Sequence, residues 1–415
     1  MITALTLAPI AAAVLIMALP EARARMVALG GALVSLAITV CMLTRFDLAE
    51  KGIQFKEKFS WIPALGIDYF VGLDGLNALV LLLAALLAPL VVLASWKHTD
   101  RPRTYFALMC LQFTGLFGVF TALNFFHWFL YWELALVPAF FLIKLFGQGE
   151  ERHRAALNFF LFTVVGSVAM LLPGVMSKMG VYGFLRLVVP IFPDHLQHYA
   201  TALMAFALVT ILWGAFLALR QTDLKRMVAF SSLNHVAFCV LAVGAIEVVA
   251  DGTKIDVRAL ATQGIILQMF AHGIAAAGLF YLVGLLEERG GSRGLGDFGG
   301  LSSVTPRLAA AFFMLTFCSL GLPFMAGFAA EFLIFSSSFA VAPGITAVAT
   351  LGLLATAVFL LTMLQKVFTG PAPERHRAMP DLSLMETLIL IPLLILVFWA
   401  GMAPATWLRF SANLF

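Results

Sequence analysis

Apolar residues fill most of this chain in long stretches, set apart by short polar turns. A bilayer core needs about 20 apolar residues per helix. That ruler places spans at 3–20, 25–44, 71–95, 105–121, 125–146, 199–220, 227–248, 261–286, 344–369 and 384–405. Residues 306–341 form a longer stretch, broken at Gly321-Leu322-Pro323 and again at Gly327, and are counted as one broken helix. Residues 156–192 are read as one crossing over roughly 157–177, followed by an interfacial or re-entrant piece near Tyr182–Phe192. Helices are the required element, because backbone exposed to lipid must satisfy its own hydrogen bonds. The expectation is an all-α polytopic membrane protein with about 12 crossings.

Loop charges set the direction of travel, since Lys and Arg concentrate on the cytoplasmic side. Arg23 and Arg25, then Lys97, Arg101 and Arg103, then Arg152 and Arg154 follow the first, third and fifth spans. Arg220, Lys225 and Arg226 come before the span at Met227, which requires 156–192 to cross once. Arg289, Arg293 and Arg307, and later Arg375 and Arg377, fall on the same side. The N-terminus is therefore expected outside. The longest polar segments, 45–70, 249–260, 287–305 and 370–383, are too short for a soluble domain, so 1–415 is read as a single membrane domain.

Composition agrees with this pattern. The chain is 62% hydrophobic and 12% charged, against about 45–50% and about 25% for a soluble domain. Its mean hydropathy is +1.00. A net charge of +4 from 26 basic and 22 acidic residues gives no footprint for nucleic acid. Cys41, Cys110, Cys239 and Cys318 lie within apolar runs and lack metal-type spacing, so they read as core thiols. Gly290-Gly291 and Gly299-Gly300 have no phosphate-loop context.

The informative residues are ionisable ones at membrane depth, where a charge costs on the order of 2.5–3.5 kcal/mol on insertion scales. Glu133 lies well inside a span, in Trp-Phe-Leu-Tyr-Trp-Glu-Leu-Ala-Leu-Val-Pro. Such a carboxyl is a proton-exchange candidate, or a structural group bonded to backbone or a neighbouring helix. Glu331 follows the Gly-Leu-Pro break, a layout transporters use at a hydrated cavity, though a glutamate also suits a helix N-terminus. Lys178 is either buried for function or snorkels from a span end. His235 and His272 sit in polar notches and serve as proton relays or as helix–helix hydrogen-bonders. By composition the chain reads as transporter-like.

Read as strings, these motifs resemble the antiporter-like membrane subunits of respiratory complex I, of the subunit M or chain 4 type. Trp61-Ile-Pro-Ala-Leu-Gly-Ile and Gly72-Leu-Asp74-Gly-Leu are similar to its N-terminal signature. Tyr131-Trp-Glu133-Leu-Ala-Leu-Val-Pro and the string from Ala155 to Ser167 resemble its fifth and sixth helices. So do Asp223-Leu-Lys-Arg-Met-Val-Ala-Phe-Ser-Ser-Leu-Asn-His235, Gln268-Met-Phe-Ala-His272-Gly and Gly321-Leu-Pro-Phe-Met-Ala-Gly-Phe-Ala-Ala-Glu331 at their own places. The resemblance covers nearly the whole chain. It implies an inverted-repeat fold, with a first repeat at 61–192 and a second at 199–345. It also implies proton transfer along mid-membrane charges: Glu133 on the fifth helix, Lys178 on the eighth, Glu331 on the twelfth, and His235 and His272 on the connecting axis. NADH, FMN, iron–sulfur clusters and quinone would be held by partner subunits of a complex I-like assembly in the cell inner (plasma) membrane.

One departure stands out. After Ser167 the family continues through a broken seventh helix bearing a lysine, whereas here Met170-Leu-Leu-Pro runs almost directly into Gly174-Val-Met-Ser-Lys178. The first repeat is therefore expected to be truncated, and Glu133 to lack its usual lysine partner. A sodium/proton antiporter subunit, a non-conducting scaffold and a hydrogenase or carbon-uptake subunit are the other readings the sequence leaves open.

Overall fold

The structure, a computed structural model, describes residues 1–63, 67–147, 156, 175–248 and 255–414. The span expected over 157–177 therefore lies almost wholly outside the described residues, as do the break at Pro173-Gly174 and nearly all of the Ala155–Ser167 string. Among the described residues, eight helices are long and apolar enough to cross a membrane, and four shorter apolar ones join them at Ile2–Ala18, Ala78–Ala94, Pro306–Ser319 and Ala326–Val341. The protein is a multi-pass membrane protein, and its chain divides into two compact units.

The first unit comprises residues 1–171, 179–191 and 409–415. It contains α1 (Ile2–Ala18), α2 (Ala24–Thr44), α3 (Ala78–Ala94), α4 (Pro102–Thr121) and α5 (Phe125–Phe146). Helix α4 is its centre: 72% of its apolar stretch is buried, against 28% for α2 and for α5. Close packing comes from glycines, as in many membrane helix pairs. Gly115 of α4 lies against the Ala135 backbone of α5, and Gly118 against the Tyr131 ring.

A feature absent from the hydropathy reading is an antiparallel hairpin, β1 (Gln54–Ile62) and β2 (Ile67–Leu73). Residues 45–70 thus hold more than a loop, and the span expected from 71 begins at Ala78. The hairpin is tied to the helices around it. Glu57 accepts the backbone N–H groups of Ile2 and Thr3 at 2.9 and 3.1 Å, and Leu123 N–H donates to Phe70 O at 3.0 Å. Asn77 donates to the Gly72 and Phe120 carbonyls at 2.9 and 2.8 Å, joining the hairpin's end to α4. Asp74 is paired with Arg186 at 2.5 Å, and both are largely buried. Arg186 also donates to the Tyr182 hydroxyl at 3.1 Å.

Helix α6 (Val175–Gly183) continues through a wide π-turn at Phe184–Val188 to Ile191. The segment expected at 182–192 as an interfacial or re-entrant piece is thus helical from its start, and Tyr182, Leu185 and Leu187 are buried. Gly183 gives the reason for part of this burial, since a Cβ there would collide with the Trp128 indole.

The second unit comprises residues 172–178 and 192–408. Its helices are α7 (Pro193–Leu219), α8 (Leu224–Val248), α9 (Ile255–Gly290), α10 (Pro306–Ser319), α11 (Ala326–Val341), α12 (Pro343–Phe368) and α13 (Leu384–Met402). Helices α8 and α9 form the core, with 78% of each apolar stretch buried, while α7, α12 and α13 carry the outer surface. The expected broken helix is the pair α10 and α11, separated at Leu320–Met325.

Polar clamps hold one end of this unit together. Arg293 pairs with Asp223 at 2.6 Å, Lys225 with Glu287, and Arg289 with Glu386 at 2.5 Å. Asp381 accepts the first free N–H groups of α10, from Arg307 and Leu308. Ser383 and Glu386 form a reciprocal cap on α13. His376, in the loop before α13, is buried against Phe298 and faces the Asp297 carbonyl at 3.3 Å.

Two outcomes follow. Gly115→Val forces a branched side chain into the Ala135 backbone and should destabilise the first unit by about 1–3 kcal/mol. A thermal melt in detergent reads this, and an unchanged Tm would contradict the packing described. Burial holds the His376 imidazole below its ordinary range, Arg375 adds to this, and Asp297 opposes it. The native ring then binds a proton more weakly than the unfolded chain does. Its contribution to stability is full above about pH 6.5 and is lost as the pH falls from there through the native value. Amide exchange of Gly300 and His376, corrected for intrinsic rate, should quicken on that descent, and His376→Phe should abolish the effect.

Candidate functional site

Four of the five residues singled out by the sequence lie together in the second unit. Lys178 comes from α6, His235 from α8, His272 from α9 and Glu331 from α11. All four side chains are buried. Lys178 Nζ lies 2.8 Å from His272 Nδ1. The His272 and His235 rings stack with centroids 4.8 Å apart and planes 19° from parallel. His235 Nε2 then lies 3.5 Å from Glu331 Oε1. The groups form a continuous row.

The broken helix explains how a carboxylate reaches this row. Gly321 adopts φ +66°, a left-handed conformation open to glycine at little cost. A Cβ at that position would also collide with the Glu331 carboxylate. Gly327, at the start of α11, passes so close to the Cys318 carbonyl that a Cβ would overlap it. The two glycines let α10 end and α11 begin beside each other with Glu331 turned toward α8. The break also frees the Ser319 carbonyl, which lies 2.9 Å from His235 Nε2.

His235 is placed between two backbone acceptors. Its Nδ1 faces the Ser231 carbonyl at 2.7 Å, while Nε2 faces that of Ser319. A neutral imidazole has one N–H and can satisfy only one of these carbonyls. A proton arriving at the ring supplies a second N–H for the other. The two carbonyls can thus accept from the ring in either protonation state. Around the row, Gln268 Oε1, Thr316 Oγ1, Asn234 Oδ1 and Glu331 Oε1 are buried without a hydrogen-bond partner among the described residues. Buried polar atoms in that state mark places where water completes the bonding.

Glu133 belongs to the first unit. It lies at the middle of an α5 stripe whose other members, Phe129, Val137 and Phe141, are exposed. The carboxylate is half-buried and has no ion-pair or hydrogen-bond partner among the described residues. The segment between Met170 and Gly174, where a seventh helix is expected to be missing, lies outside the described residues. The sequence pointed to the break and to Gly321, but not to the Ser319 carbonyl or to Gly321's place under the Glu331 carboxylate. Gly321-Leu322-Pro323 was the available signal for both. Among the described residues no group of His, Cys, Asp and Glu is arranged to hold a metal ion.

Comparison with known proteins places this arrangement in a family. The family model described as "NADH:quinone oxidoreductase/Mrp antiporter, TM" matches residues 122–173 and 168–358. The two pieces meet where the sequence departs from the expected helix order. The NADH-quinone oxidoreductase subunit M of Escherichia coli is 30% identical over 432 residues, covering 85% of this chain and 83% of that protein. The F(420)H(2) dehydrogenase subunit M of Methanosarcina mazei is 29% identical over 459 residues, covering 92% and 90%. Among solved structures, a chain of respiratory complex I from Thermus thermophilus has a similar fold, with TM-score 0.85, 24% identity and full coverage of both chains. A chain of the Mrp complex from Dietzia sp. gives TM-score 0.80 and 17% identity, covering 100% of this chain and 96% of that one. The chain belongs to the NADH:quinone oxidoreductase/Mrp antiporter transmembrane family.

Proposed function

We propose that this chain is a proton-translocating membrane subunit of a complex I-type NADH:quinone oxidoreductase. The observation that carries the reading is the buried row Lys178–His272–His235–Glu331, with contacts of 2.8 Å, 4.8 Å between rings and 3.5 Å. A lysine, two imidazoles and a carboxylate have among them four sites for exchangeable protons, and burial couples their charges. The row needs no redox group of its own. NADH, FMN, iron–sulfur clusters and quinone belong to partner subunits, whose chemistry supplies the energy. The kinship with subunit M proteins supports this assignment.

In this reading Glu331 and Lys178 end the row, and His272 and His235 carry the proton between them. Glu133 is the proton-exchanging carboxylate of a first repeat over 61–192, and the second repeat spans 199–345. The protein resides in the cell inner (plasma) membrane with its N-terminus outside.

NADH-driven proton uptake by inverted vesicles, with equal assembly confirmed, tests the reading. Glu331→Gln should lower pumping at least about tenfold, a conservative share of the ~10²-fold typical of losing a positioned proton-transfer group. Glu331→Asp should retain part of it, and Glu133→Gln should reduce it. Normal pumping by a fully assembled Glu331→Gln complex would contradict the assignment. Sodium-driven proton movement without a redox donor would identify a sodium/proton antiporter subunit instead.

A further inference from the structure

The first unit carries a cavity that the proton row does not use. It has a volume of about 230 Å³ and is lined by Glu21, Ala22, Arg25, His98, Thr99 and Pro102. Glu21 and Ala22 lie in the turn between α1 and α2, Arg25 in the first turn of α2, His98 and Thr99 in the turn between α3 and α4, and Pro102 at the start of α4. The volume is below the ~300–1,000 Å³ of sites for drug-sized molecules. It suits a small polar group.

The lining has charges of both signs. Arg25 donates from Nη1 to the Trp96 carbonyl at 3.0 Å and stands over the Trp96 ring at 5.7 Å. A guanidinium carries five N–H donors, so most of its fork is left for an anion, and its direction is fixed by the indole. His98 stacks on Tyr105 at 3.9 Å and meets Phe146 edge-on at 5.3 Å, and its Nε2 is buried, so the ring forms a wall of the cavity. Thr99 adds an exposed hydroxyl. Glu21 adds a carboxylate to the lining, and the two turns also hold Arg23, Lys97 and the Asp100–Arg101 pair.

The helices that end at this cavity turn apolar side chains outward: Met17 of α1 is 59% exposed and Met26 of α2 is 64% exposed. A ligand seated in the cavity therefore has lipid-compatible surface beside it. Basic pockets between membrane helices at the bilayer surface are suited to lipid headgroups. An anion alone would leave Glu21 unused and repelled. A headgroup with a phosphate and a short amino alcohol uses both charges of the lining, with phosphate on Arg25 and Thr99 and ammonium on Glu21. We propose that this cavity binds the headgroup of an aminophospholipid of the phosphatidylethanolamine type, with its acyl chains lying along α1 and α2.

Native mass spectrometry of the full chain, released from nanodiscs of equimolar phosphatidylethanolamine, phosphatidylglycerol and phosphatidylcholine, tests this. The wild type should retain phosphatidylethanolamine over the other two. Combined Arg25→Gln and Glu21→Gln substitutions should lower retention about tenfold or more, the effect of losing charge-assisted hydrogen bonds. Ala22→Trp, which fills the cavity from an exposed turn without removing a charge, should do the same. Millimolar inorganic phosphate should leave the lipid in place. Equal retention by wild type and Ala22→Trp, or retention of phosphatidylglycerol or phosphatidylcholine as well as phosphatidylethanolamine, would overturn the proposal. Displacement of the lipid by phosphate would show a site for a free anion and overturn it too.

Discussion

Lys178, His272, His235 and Glu331 stand in a row because none of them can be buried alone at membrane depth. An isolated charge there has little water to solvate it, and only a partner of suitable chemistry lowers that cost. Much of the second unit is arranged around this need. Helices α8 and α9 are its most buried long helices and carry the two imidazoles. The interruption between α10 and α11 brings in a carboxylate and a free carbonyl together. At the far end of the same helices, the ion pairs of Arg293, Lys225 and Arg289 hold the loops that fix their spacing. The row and the clamps use the same chemistry in different surroundings. The more exposed pairs of Arg293 and Lys225 each add little, whereas Arg289–Glu386, 11% and 12% exposed, is buried enough that losing one partner would cost far more.

The first unit obeys the same constraint by a different route. Its buried ion pair, Asp74 with Arg186, is surrounded by further hydrogen bonds: Asp74 accepts from Leu76 N–H, and Asn77 satisfies two backbone carbonyls nearby. A pair so completely satisfied suits holding structure rather than moving a proton. Glu133, half-buried in an apolar stripe, has no such cage among the described residues. The contrast is between a carboxylate held by a full set of partners and one with none among the described residues.

Much of this was legible in the sequence because bilayer thickness imposes a length on every span. The apolar runs located the helices closely, and Gly321-Leu322-Pro323 marked the break. The four row residues stood out for one reason, being ionisable where solvent is scarce. What the sequence did not disclose was their adjacency, since Lys178 and His272 are far apart in the chain. The hairpin was hidden as well. Lys56, Glu57 and Lys58 made its first strand look like an ordinary polar loop, and hydropathy carried the following span back over the second. The helix runs from Val175 to Ile191 without a break at Tyr182, where the short apolar segments by themselves predict the start of an interfacial or re-entrant piece. Packing of Gly183 under Trp128 settles that region, and no linear pattern records such a contact.

The central claim is that the four buried groups share their protons as one system. Isotope-edited infrared spectroscopy of the Glu331 carboxyl in the assembled protein, titrated in wild type and in His272→Phe, tests it most directly. Among the described residues no hydrogen bond joins His272 to Glu331, so a local role would leave the carboxyl's titration unaltered. The account predicts that removing the imidazole shifts that titration and simplifies its shape. An identical titration curve in the two proteins would contradict it.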